Sequence, residues 1–185
     1  IVVSTGVAPR IPNMPGIDHE KVVSYQELLG KELKLGKSVA IMGAGGIGFD
    51  VGEYLSHQGP SLTENKEAWF KEWGVDIDNK TSGGLAPMEI ENSPRKLYLL
   101  QRKTSSLGRG LNKTSGWVHR AVLKMKQVEM IGGVGYNKID DDGLHITISN
   151  QDGDVLEERV LDVDHIVLCA GQISVSELYK ELQGN

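Results

Sequence analysis

An apolar run, Ser38–Met42, passes directly into Gly43-Ala44-Gly45-Gly46-Ile47-Gly48, and no other junction constrains the chain as much. The physical demands on a G-x-G-x-x-G turn of this kind are narrow. Gly43 permits the tight bend, Gly45 lets backbone approach a pyrophosphate, and Gly48 lets the next helix pack close to the strand. The phosphates then meet free N–H groups at the positive end of that helix. Glycine is common here, 23 of 185 residues, so the six-residue pattern alone is weak. Its context strengthens it: a strand precedes it, and Ile47, Val51, Tyr54 and Leu55 follow at helical spacing.

Around this junction the sequence alternates. Residues 1–5 read as a strand, and Pro9, Pro12 and Pro15 then hold an extended loop, because each fixes its own φ and biases its predecessor away from helix. Ser24-Tyr25-Gln26-Glu27 is a capping-box pattern opening a short helix, and the helix after the glycine turn spans 46–58. Residues 59–94 interrupt the alternation with a helix at 64–73 and a polar Gly/Pro/Asn loop, and strand periodicity returns at Lys96–Arg102. A basic glycine-bearing loop leads to a helix at 116–126. Strands at 128–131, 134–139, 144–149, 154–161 and 164–170 follow, and a helix at 175–183 begins from the pattern Ser174 to Glu177. Alternating strands and helices followed by a meander predict an α/β fold. It is a Rossmann-like NAD(P)-binding domain, with a parallel sheet, helices and an antiparallel appendage. Residues 1–185 read as one such domain, and the opening on IVVSTG reads as a piece of a longer polypeptide.

The end of the second strand of such a unit meets the adenosine ribose. An acid there bonds the 2′-hydroxyl of NAD, whereas arginine accommodates the 2′-phosphate of NADP. Arg102 lies 59 residues beyond Gly43; without the 36 residues of 59–94 the spacing is 23, close to the usual separation. The strand then ends Gln101-Arg102-Lys103, two cations and no acid. A phosphate dianion suits a guanidinium fork beside a point charge, so NADP(H) is expected. Arg109 and Lys113, in the loop beyond, are candidates to extend the anion site.

Composition removes other classes. With 39% hydrophobic and 24% charged residues and a net charge of −5, the chain has no electrostatic footprint for nucleic acid. It holds neither a membrane-length apolar run nor a signal peptide. The single Cys169 excludes a disulfide framework and points to a reducing, cytoplasmic setting. It sits inside the apolar run HIVLCAG and reads as a packed strand residue. Asp140-Asp141-Asp142 before Gly143 reads as a hairpin turn rather than a metal cluster, and His57 as a helix C-terminal residue. His119 and Arg120 read as solvated groups beside a packed Trp117, while Trp69, Phe70 and Trp73 read as packing for the 59–94 segment.

Several stretches resemble one family. STGVAPRIPNMPGID (4–18) resembles the crossover by which a FAD domain passes the chain to an inserted NAD(P)H domain, and DHIVLCAG (164–171) resembles the return crossing. VVSYQELL, VAIMGAGGIGFDV, LQRK, GLNKTSGWVHR and YNKIDDDGLHI closely resemble the bacterial NADPH-dependent 2,4-dienoyl-CoA reductases. The resemblance implies a larger oxidoreductase. It would have an N-terminal TIM barrel with FMN and a 4Fe-4S cluster, then a FAD domain interrupted by the present segment, joined through 1–6 and 164–171. NADPH would reduce FAD there, and electrons would pass through the cluster to FMN and a dienoyl-CoA in unsaturated fatty acid β-oxidation. The barrel's catalytic residues, the cluster cysteines and the FAD-binding glycine motif have no counterpart in these 185 residues. The residues expected at the NADPH site are therefore Gly43, Ala44, Gly45, Gly46, Ile47, Gly48, Arg102 and Lys103, with Gly171 and Gln172 bordering the nicotinamide–flavin junction. The alternative is a non-catalytic module holding ADP or NAD for structure or regulation.

Overall fold

The computed structural model describes residues 2–31 and 33–183. In chain order the elements are β1 (Val7–Pro9), β2 (Val22–Ser24), α1 (Tyr25–Gly30), β3 (Ser38–Met42), α2 (Gly46–Ser56), α3 (Lys66–Glu72), β4 (Lys96–Leu100), α4 (Gly116–Met125) and β5 (Glu129–Ile131). There follow β6 (Val134–Asp140), β7 (Gly143–Ser149), β8 (Val155–Leu161), β9 (His165–Leu168), β10 (Gln172–Ser174) and α5 (Glu177–Gln183), with short 3-10 turns at Leu62–Glu64 and Ser82–Gly84.

A five-stranded sheet in the order β2-β9-β3-β4-β5 forms the middle layer, and every pairing in it is parallel. Its three central strands, β9, β3 and β4, are buried on both faces, which is why they read as near-continuous apolar runs. The two faces serve different layers. Val39, Ile41, Leu97, Leu99 and Val167 pack with Phe49, Val51, Leu55 and Leu123 of α2 and α4. Ala40, Met42, Tyr98, Leu100 and Ile166 pack with Val134, Ile139, Leu144, Ile146 and Leu161 of the antiparallel meander β6-β7-β8. Each of these larger side chains contributes about 1.5–3 kcal/mol when removed from water. The structure is the α/β fold expected, with the meander forming a third layer.

Local signals explain several boundaries. Ser24 Oγ accepts the Glu27 N–H at 3.1 Å while Glu27 Oε2 accepts the Ser24 N–H at 3.2 Å, the reciprocal cap seen in the sequence. Gly143 pairs with Asp140, so Asp141-Asp142 is a two-residue hairpin loop. The Asp140 carboxylate is held well below the usual range by Lys138 at 2.6 Å and His145 at 2.8 Å.

Other boundaries differ from expectation. Residues 2–6 are not a strand. The first strand lies at Val7–Pro9, paired antiparallel only with β10, because Gly6 (φ +84°) turns the chain just before it. Pro9 is tolerated there because the ribbon has two strands and Pro9 stands on its edge. The strand expected at 164–170 is shorter, His165–Leu168. Ser174 belongs to β10, and α5 begins at Glu177 rather than 175.

Residues between α2 and β4 dock over the helical layer. Lys126, capping the C-terminus of α4, pairs with Glu72 of α3 at 2.5 Å, and both side chains are almost fully buried (1% and 6% exposed). Lys126 also donates to the Glu91 carbonyl at 3.0 Å. Trp73 meets Trp117 of α4 edge to face, with centroids 6.1 Å apart. Among the described residues no helix is long and apolar enough to cross a membrane.

Candidate functional site

The parallel register places the ends of β3 and β4 side by side: Met42 is opposite Leu100, so Gly43 and Gln101 emerge together at the carboxyl edge of the sheet. In open α/β sheets ligands bind at this edge. Gly43 takes φ +120°, and a Cβ there would stand 2.2 Å from the Cys169 carbonyl oxygen. A Cβ on Gly48 would stand 1.8 Å from the Gly43 carbonyl oxygen, which is the close strand–helix approach the sequence called for. Around Gly45 and Gly46, by contrast, a Cβ would meet nothing within 4 Å.

Gly45 is the extended N-cap of α2, and the first bond of the helix runs from Phe49 N–H to the Gly45 carbonyl at 3.1 Å. The N–H groups of Gly46, Ile47 and Gly48 have no intrahelical partner, as helix geometry requires. They carry the positive end of the helix dipole. Gly43, Ala44, Gly45 and Gly46 line a cleft of about 560 Å³. Ile47 and Gly48 stand behind that lining.

Arg102, Lys103 and Arg109 face the same cleft; Lys113 does not. The loop carrying the first two is held by Gln101, whose Nε2 donates to the Lys103 carbonyl at 2.8 Å and the Ser105 carbonyl at 2.7 Å. Arg120 of α4 donates to the Gly108 carbonyl at 2.9 Å and fixes the far side of the loop. Gly171 borders the opposite end of the cleft at φ +103°. Gln172 does not line it; its side chain donates to the Tyr25 hydroxyl at 2.9 Å, tying β10 to α1.

Arg10 and Tyr136 are among the lining residues that the sequence did not single out. Arg10 Nε donates to the Ala170 carbonyl at 2.8 Å and its backbone N–H to the Gly171 carbonyl at 2.9 Å, which seats a fourth cation at the cleft. Its only sequence signal was a basic residue in a proline-held loop. Tyr136, on β6, lines the cleft with a buried hydroxyl that has no hydrogen-bond partner. Burial raises the pKa of that phenol and keeps it protonated, with the nearby Arg102 charge acting the other way. Nothing in the meander's alternation marks Tyr136 as different from a core residue.

The lining of the cleft thus holds four cations, Arg10, Arg102, Lys103 and Arg109, and no carboxylate, in a chain whose net charge is −5. The Cys169 thiol also borders the cleft, but burial pushes its pKa up to about 12, so it stays neutral. Outside the cleft, His119 Nδ1 meets Glu53 Oε1 at 2.5 Å, joining α4 to α2, and His57 caps α2.

A parallel α/β sheet with a glycine turn and a cationic cleft at its carboxyl edge defines a pyridine-nucleotide-binding oxidoreductase domain. The chain belongs to the pyridine nucleotide-disulphide oxidoreductase family, whose pattern matches residues 1–184. A metal reductase of Desulforamulus reducens is 24% identical over 193 residues, a match covering all of this chain and 26% of that protein. Among solved structures, a 2-naphthoyl-CoA reductase in complex with 2-naphthoyl-CoA superposes with a TM-score of 0.66 at 21% identity, over 95% of this chain and 20% of that one. An engineered water-forming NADPH oxidase bound to NADPH, derived from the Lactobacillus brevis NADH oxidase, gives a TM-score of 0.54 at 18% identity, over 96% of this chain and 31% of that one. The chain therefore spans a fifth to a third of the length of these proteins.

Proposed function

We propose that this domain binds NADP(H) in preference to NAD(H) and presents it to a flavin held by a partner domain. The enzyme would be of the 2,4-dienoyl-CoA reductase type. The observation that carries the reading is the cleft's charge: four cations and no acid where an NAD site would place a carboxylate. The NADPH-bound relative supports it. Its substitutions remove an aspartate and introduce two arginines into an NADH oxidase. The acyl-thioester part of the reading rests on the sequence resemblance, supported by the naphthoyl-CoA reductase likeness.

The residues present fit the nucleotide. Gly43, Ala44, Gly45 and Gly46 leave room for the pyrophosphate, and the N–H groups opening α2, to which Ile47 and Gly48 belong, face its charge. Arg102 and Lys103 would hold the 2′-phosphate, and Gly171 would border the nicotinamide end, with Gln172 tied to Tyr25 outside the cleft. When bound, NADPH supplies a hydride. The chain's own part is to fix the nucleotide within reach of an acceptor. FAD, FMN and a 4Fe-4S cluster would belong to domains joined through 1–6 and 164–171; the sequence here has one cysteine.

The test is twofold. The chain alone should bind NADPH more tightly than ADP, show no flavin absorbance and give no NADPH oxidation with a 2,4-dienoyl-CoA. The same domain joined to its flavin partner should oxidise NADPH in the presence of that thioester. Equal binding of ADP and NADPH would favour a structural nucleotide module instead, and turnover by the chain alone would overturn the division of labour.

A further inference from the structure

Behind the sheet, on the side of α2 and α4 away from the glycine turn, lies a second cleft of about 610 Å³. This volume suits a small organic ligand. Tyr54 of α2 and the capping His57 form one wall, Val118 and Val122 of α4 another, and Trp69 of α3 with the capping Trp73 closes it. The two indoles stack at 5.7 Å and 27°, and Trp73 is braced by Trp117. Rings fixed by one another lose little further freedom when a ligand packs on them.

The carboxylates facing this cleft are engaged elsewhere, whereas its arginine is not paired with one. Glu53 is engaged by His119 and Glu72 by Lys126, so both carboxylates already have partners on neighbouring elements. Arg95, just before β4, has no carboxylate partner among the described residues. One of its amino groups donates to the Leu55 carbonyl at 3.1 Å, near the end of α2, and its Nε is buried without an acceptor. A helix C-terminus offers only about half a charge, so the Arg95 guanidinium itself is not fully compensated. A partly desolvated guanidinium without a full counter-charge is costly, and a carboxylate bound beside it would relieve that cost.

We propose that this cleft binds a small aromatic monocarboxylate, its ring against Tyr54, Trp69 and Trp73 and its carboxylate on Arg95. One fixed cation matches a monoanion better than a phosphate dianion, which the cleft at the glycine turn, with four cations, matches instead. The site is separate from the nucleotide cleft and does not depend on the function proposed above.

The three tryptophans of the sequence all lie in or against this cleft, so intrinsic tryptophan fluorescence reports on it directly. The experiment titrates the chain with 3-phenylpropionate, followed by fluorescence and by calorimetry. The neutral 3-phenylpropan-1-ol and the non-aromatic 3-cyclohexylpropionate serve as controls. The proposal expects saturable quenching by 3-phenylpropionate, about tenfold or more weaker binding of the alcohol, and weaker binding of the cyclohexyl acid. Arg95→Met, which keeps the apolar stem, should bring the acid down to the affinity of the alcohol. Arg95→Lys should retain part of the difference. If Arg95→Met does not fold, Tyr54→Leu on the exposed rim should weaken the aromatic acid while sparing the cyclohexyl one. Absence of saturable binding, equal affinity for acid and alcohol, or unchanged affinity in a folded Arg95→Met would overturn the proposal.

Discussion

Replacing Gly48 by alanine isolates the strand–helix approach on which the glycine turn depends. In an ordinary helix this change stabilises by up to about 1 kcal/mol, because alanine is the better helix former. Here the new Cβ would lie 1.8 Å from the Gly43 carbonyl oxygen, although real Cβ atoms essentially never come closer than 3.0 Å, so α2 and the end of β3 must part by about 1.2 Å. Neither side can yield cheaply. Gly43 N–H is bonded to the Leu100 carbonyl at 3.0 Å, and Phe49 and Val51 of α2 are fully buried. Overpacking of this kind costs about 1–3 kcal/mol in a core, and backbone lies on both sides here. After the propensity gain we expect a net loss of about 2 kcal/mol, and a melting temperature about 4–8 °C lower for a domain of this size. Urea and thermal denaturation of Gly48→Ala beside Gly52→Ala, whose Cβ meets side-chain methyls alone, those of Leu123 at 3.2 Å and of Ile41 at 3.7 Å, measure it. A Gly48→Ala protein as stable as wild type, or more so, would refute the close approach.

Gly45→Val should leave the melting temperature within about 2 °C of wild type, since its side chain meets open space in the free protein, yet abolish dinucleotide binding by filling that space. Lys126→Met should cost about 3–5 kcal/mol in urea denaturation, because it strands the buried Glu72 carboxylate, whereas Lys126→Met with Glu72→Leu should recover most of that loss. Asp164, whose carboxylate accepts from the Ser38 N–H at 2.9 Å, is held below its usual pKa by this bond and one from Lys37. Its contribution is therefore present above the ordinary aspartate value of about 4 and is lost as pH falls through the lowered value. The stability gap between wild type and Asp164→Asn should accordingly be open at neutral pH and close in acid; a gap independent of pH would contradict the assignment.

The local parts of this fold were legible because local physics makes them. The β3–glycine turn–α2 unit, the capping box at Ser24 and the hairpin at Asp141-Asp142 each depend on residues within a few positions of one another. The pairing of β4 with β3 could be anticipated once 59–94 was set aside, and Arg102 and Lys103 followed from it. What escaped depends on distant partners. β2 has only three residues, too few for periodicity, and exists because β9, more than 140 residues later, lies beside it. The same holds for β1, which forms where β10 can meet it. Arg10 and Tyr136 reach the cleft from a proline-held loop and a meander strand, so no spacing in the sequence connects them to Gly43. The buried Lys126–Glu72 pair looked like two more charges on helix surfaces, because burial of a charge shows only when its partner is in place.

The charge of the cleft makes the central claim measurable in one titration, the dissociation constants of NADPH and NADH for the wild-type chain at fixed ionic strength. Contacts from Arg102 and Lys103 to a bound 2′-phosphate would be worth roughly 2–4 kcal/mol together, from about 1.5–3 for each charged hydrogen bond before non-additivity. NADPH should therefore bind at least about thirtyfold more tightly than NADH, and Arg102→Ala with Lys103→Ala should remove most of that difference while leaving NADH nearly unchanged. Equal affinity of the wild-type chain for the two nucleotides, or tighter binding of NADH, would contradict the account.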